Sequence, residues 1–150
     1  MSAAAARTLG LGFLAGFVAT LVVHQGVWAL LYGASLLPSS MPPWPLDLVP
    51  PFGVPAVVSK AFWGGLWGAA LGVLLHRREG AAYWLSWLSL GALAPTLAGV
   101  FVVPVLKGLG AQAFDANRFA IGCVVNGAWG LGTGALLRLT AARRAPAIAD

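Results

Sequence analysis

The chain has 150 residues, 59% of them hydrophobic and only 9% charged, against the roughly 25% charged residues of a soluble domain. That composition excludes an ordinary soluble globule, and the net charge of +5 is too dispersed to form a basic face, so nucleic acid is not an expected partner. A single cysteine, Cys123, excludes an intrachain disulfide and any paired-cysteine metal or redox motif, and an apolar helical setting is expected to bury it as an inert thiol.

Four segments, 9–33, 54–76, 81–106 and 119–139, are apolar and long enough to cross a bilayer, which takes about 20 residues per helix. The first contains no charge from Thr8 to Leu46. It is too long for a signal-peptide core, and Tyr32-Gly33-Ala34 is a poor cleavage site, so it is expected to remain as a helix. Gly12, Gly16, Thr20 and His24 recur along it at four-residue spacing, which places them on one face.

Residues 34–53 form a proline-rich outer loop: seven of the ten prolines fall between Pro38 and Pro55. Proline excludes regular helix there, and the interspersed Trp44, Leu46, Leu48, Val49 and Phe52 are not the composition of a disordered linker. A stiff cap on the membrane surface is expected, with Trp44 at headgroup level.

The second segment carries Lys60, Gly64, Gly68 and Gly72 at the same spacing, with Ser59 beside Lys60. HRREG then makes a tight turn. The third segment contains Pro95, which removes a backbone donor and frees the carbonyl of Gly91, followed by Thr96. In the next loop Asp115 and Arg118 have ion-pair spacing on a helix. The fourth segment carries Gly122, Asn126, Gly130 and Gly134 in step. Small residues four apart let helix backbones approach closely, the device that replaces hydrophobic driving force within lipid. The expected fold is an all-α four-transmembrane-helix bundle forming one domain over 1–150.

GGLWGAALGVLL in the second segment matches NGAWGLGTGALL in the fourth at an offset of 62 residues. Two readings explain the match: a tandem repeat of two helical hairpins, or the shared packing demands of glycine-rich helices. GFLAGFVATLVV, VVPVLKGLGAQAF and NGAWGLGTGALL resemble the small four-helix bacterial inner-membrane proteins of the YagU-like families. The resemblance implies an architecture and no activity or functional residue; HQGVW and the proline-rich loop depart from that pattern.

Arg7, Arg77, Arg78, Arg138, Arg143 and Arg144 fall on one side of the four spans, and Lys60, Lys107 and Arg118 on or near the other. The excess predicts cytoplasmic termini in a bacterial inner membrane. Arg143 and Arg144 are expected to meet anionic lipid.

At 1.5 Å per residue, His24 lies roughly 13 Å from the outer end of its helix, Lys60 about 9 Å, Asn126 about 10 Å and Thr96 about 15 Å. With Gln25 and Ser59 alongside, these residues form a candidate intramembrane polar layer in which His24 is expected to be buried and hydrogen-bonded. His24 and His76 differ in depth by roughly 20 Å, so they cannot share a haem. No paired carboxylate, metal-spaced cluster, nucleophile elbow or phosphate loop is present, so no catalytic residue, metal or cofactor is expected. Two functions fit: an accessory bundle that self-associates or binds a larger membrane protein through its glycine faces and outer loop, and a small transporter using the polar layer.

Overall fold

A computed structural model describes residues 3–110 and 114–142. Helix α1 spans 3–33, as α-helical Ala3–Ala19 and Gln25–Gly33 on either side of a π-helical stretch, Thr20–His24. The loop that follows holds a small antiparallel pair, β1 (Leu48–Val49) and β2 (Val54–Pro55), and leads into α2 (Ala56–Leu75). A turn at 76–79 leads to α3 (Gly80–Leu106), which contains a second π-helical stretch at Ala98–Val102. Helix α4 is Ala116–Ala142. The four helices are long and apolar enough to span a membrane, with windows of mean hydropathy between 1.3 and 1.9. The chain is a multi-pass membrane protein.

Each helix packs chiefly on its neighbour in sequence: α1 on α2 and α3 on α4. The hairpins join mainly where α1 crosses α4, whereas α2 and α3 touch little. Glycine sets both hairpin crossings. A β-carbon on Gly12 would lie 2.6 Å from the carbonyl of Gly68, and one on Gly16 would overlap the carbonyl of Gly64. In the second hairpin a β-carbon on Gly91 would lie 2.8 Å from Cα of Gly130, and one on Gly130 would overlap the carbonyl of Trp87. The two crossings therefore correspond, with Gly16 matching Gly91 and Gly68 matching Gly130. Gly134 lies against the indole of Trp87, while Gly72 has room for a methyl group, its nearest neighbour being Cα of Gly12 at 3.5 Å.

The core is aromatic. Trp87 and Trp129 are fully enclosed with Ala19, Leu71, Leu75 and Tyr83. Trp129 donates its indole N–H to the carbonyl of Gly16 at 3.0 Å, tying α4 to α1. Tyr83 donates to the carbonyl of Gly134 at 2.8 Å, tying α3 to α4. Large apolar side chains such as Leu14, Val22, Phe62, Trp63, Leu85 and Val124 point outward, as lipid as solvent requires.

Two local expectations are corrected. Asp115 does not pair with Arg118: α4 begins at Ala116, and Asp115 Oδ1 accepts the backbone N–H groups of Asn117 (2.9 Å) and Arg118 (3.1 Å) as an N-cap. Cys123 is half-buried. Trp44 is pinned to α1 through its indole N–H. Arg143 and Arg144 lie outside the described residues.

Candidate functional site

The site stands at the end of the bundle opposite the termini, where the proline loop meets α1 and α2. Its foundation is the π-helical stretch in α1. The N–H of Gln25 passes over the carbonyl of Leu21 to bond those of Thr20 and Val22. Leu21 O accepts the indole N–H of Trp44 at 2.9 Å. The backbone N–H of Trp44 donates to Gln25 Oε1, also at 2.9 Å. Further along the same face, Trp28 Nε1 donates to Met41 O at 3.0 Å and Tyr32 Oη to Ser39 O at 3.2 Å. Leu21, Gln25, Trp28 and Tyr32 follow the three- and four-residue spacing of one helix face, so a single stripe of α1 holds the loop. At its other end the loop is tied to the start of α2, where Val57 N bonds Pro45 O and Ala56 N bonds Asp47 O.

His24 stacks on Trp28, with ring centroids 6.2 Å apart and planes 7° from parallel. The ammonium of Lys60 lies 5.4 Å from the centroid of the same indole, a cation–π distance. Lys60 is exposed and, with Trp28, Met41, Pro45 and Asp47, lines a cavity of about 300 Å³ beneath the loop. Two buried polar atoms have no partner here among the described residues: His24 Nδ1 and Gln25 Nε2, the latter on a wholly enclosed side chain. The expectation of a hydrogen-bonded His24 is therefore corrected at Nδ1, which has no partner among the described residues. His24 and Gln25 do not bond each other, since consecutive helix positions point about 100° apart.

The polar groups fall into separate clusters. His24, Gln25 and Lys60 gather around Trp28 and the loop. Thr96 and Asn126 form a separate pair between α3 and α4, with Asn126 Nδ2 donating to Thr96 Oγ1 at 2.9 Å. Ser59 is half-buried and makes no side-chain hydrogen bond among the described residues. Among those residues no three His, Cys, Asp or Glu side chains stand together as a metal site.

The glycine stripes pack largely within the chain itself. Gly12, Gly16, Gly64 and Gly68 are covered by the chain's own helices, as are Gly91 and Gly130, whereas Gly10, Gly26, Gly33 and Gly99 have open space beside them. Sequence reasoning missed Trp44 as the loop's anchor, because its indole bonds a backbone carbonyl, that of Leu21. No family model, curated protein or solved structure matches the chain.

Proposed function

We propose that this chain is an accessory protein of a bacterial inner membrane, with cytoplasmic termini, whose rigid outer loop docks a larger membrane protein or a second copy of itself. One observation carries the reading. The loop is fixed to α1 by four hydrogen bonds that involve side chains, yet Leu46, Leu48 and Phe52 within it stand 72%, 70% and 85% exposed. A loop ordered in advance loses little conformational entropy on docking, so its exposed apolar side chains contribute more of their burial energy to affinity. The excess of arginine at the end holding both termini supports the orientation. A photo-crosslinking residue at Phe52 or Leu48 in native membranes should give one discrete protein adduct. Adducts to lipid alone would refute the proposal.

A second reading, a small permeation module, is favoured by the unpartnered His24 Nδ1 and Gln25 Nε2 close to Lys60, because polar groups within membranes are costly to keep. Proton or small-solute flux into liposomes tests it. Flux that persists unchanged in His24→Ala and Lys60→Ala proteins would detach these residues from any pathway.

A further inference from the structure

The end of the bundle that holds the termini contains a second cavity, of about 480 Å³, between the two hairpins. Three guanidinium-bearing residues line it from three separate elements: Arg7 on α1, Arg78 in the 76–79 turn and Arg138 on α4. The one carboxylate in the wall is Glu79, and among the described residues no ion pair joins it to any of the three. The floor is apolar, formed by Leu11, Leu75, Leu137 and the enclosed Trp87. We propose that this cavity binds the phosphate headgroup of an anionic phospholipid, with the lipid's first methylenes resting on that floor.

Arg138 is held ready for such a ligand. Its guanidinium lies 4.3 Å from the ring centroid of Tyr83, and that ring is fixed by the bond from Tyr83 Oη to Gly134 O. Arg138 Nη2 donates to the carbonyl of Arg78 at 3.3 Å. A guanidinium has five N–H donors, so most remain for phosphate oxygens, which suit its planar fork. Arg77 is engaged elsewhere: its Nε donates to His76 Nε2 at 3.3 Å, and it does not line the cavity. Three cations against one carboxylate select a net negative headgroup over a zwitterionic one. The position selects a lipid over a free anion. The cavity opens at the end of the bundle where all four apolar helices end, and free phosphate would leave the apolar floor unused.

The test is native mass spectrometry of the full-length protein extracted in mild detergent, with phosphatidylglycerol, phosphatidylcholine and inorganic phosphate as probes. One phosphatidylglycerol per chain should be retained in preference to phosphatidylcholine. Arg7→Gln should weaken retention by about fivefold, the equivalent of the roughly 1 kcal/mol a basic residue contributes near an anionic surface. Arg77→Gln should leave retention unchanged and Glu79→Gln should strengthen it, responses that a purely structural role would not produce. Helix content by circular dichroism confirms that each variant is folded. Equal retention of phosphatidylcholine, an equal loss in Arg77→Gln, weaker retention in Glu79→Gln, or displacement of the lipid by millimolar phosphate would each overturn the proposal.

Discussion

Gly68→Ala adds one methyl group at the crossing of α1 and α2. The new carbon would overlap the carbonyl of Gly12 and lie 2.8 Å from Gly16 Cα and 3.1 Å from Gly16 N. All three are backbone atoms, so no rotamer change relieves the contact, and the helices must part by roughly 1 Å to restore ordinary carbon–carbon separation. Overpacking of this kind costs about 1–3 kcal/mol. Moving α1 also strains the bond from Trp129 to Gly16 O, and interhelical bonds in membranes average about 0.6 kcal/mol. Alanine's better helix propensity returns up to about 1 kcal/mol, leaving a net loss near 2 kcal/mol. Gly130→Ala should behave alike, since it meets Trp87 O and lies 3.0 Å from Gly91 Cα. Because the bond from Trp129 to Gly16 O joins the two crossings, the double variant should lose less than the sum of the single losses, by up to the roughly 0.6 kcal/mol of that shared bond. Equilibrium unfolding by dodecyl sulfate in mixed micelles, followed by tryptophan fluorescence, measures this, with Gly26→Ala as control because nothing lies within 4 Å of its added carbon. A Gly68→Ala protein as stable as the parent, or an equal loss in Gly26→Ala, would refute the close-approach account.

Gln25→Leu removes the acceptor of the Trp44 backbone N–H; it should weaken the loop's attachment by about 1–3 kcal/mol and speed proteolytic cleavage within 34–55 without loss of helix content. Asp115→Ala should cost about 1 kcal/mol as a lost N-cap and raise hydrogen exchange at the Asn117 and Arg118 amides, while distant amides keep their protection. Asn126→Ala, which leaves Thr96 Oγ1 without its donor, should lower stability by only about 0.6 kcal/mol, as expected of a packing bond rather than a site residue.

The helices were legible because lipid demands long apolar runs, and the stripes of Gly12, Gly16, Gly64 and Gly68 announced close approach. The polar layer was not, because counting residues gives depth and leaves the direction around the helix undetermined. Thr96 and Asn126 bond each other between α3 and α4, whereas His24 stacks on Trp28 in the first hairpin. The π-helical stretches at Thr20–His24 and Ala98–Val102 add to the difficulty, since one extra residue in a turn rotates everything beyond it by about 100°. Helix α4 starts at Ala116 rather than near 119, so Asp115, read as half of an ion pair, falls at the cap position. The loop's attachment depends on carbonyls of Leu21, Ser39 and Met41, and backbone acceptors carry no mark in the sequence.

What the two hairpins do not share indicates where function lies. By the match of Gly16 to Gly91, His24, Gln25 and Trp28 correspond to Gly99, Val100 and Val103; by the match of Gly68 to Gly130, Lys60 corresponds to Gly122. The second hairpin makes the same glycine crossing with none of these polar groups, so the crossing does not require them. They accompany the long proline loop, which only the first hairpin has. Gln25 and Trp28 are accounted for by their bonds to that loop, whereas His24 makes no bond at Nδ1. Replacing an unsatisfied buried polar group with an apolar one of similar size is close to neutral or stabilising. His24→Leu should therefore unfold within about 0.5 kcal/mol of the parent, or be more stable, while reducing the crosslink from Phe52 or any measured flux. Loss of both stability and adduct would give the ring a structural role through its stack on Trp28. Preservation of both would remove His24 from the functional site.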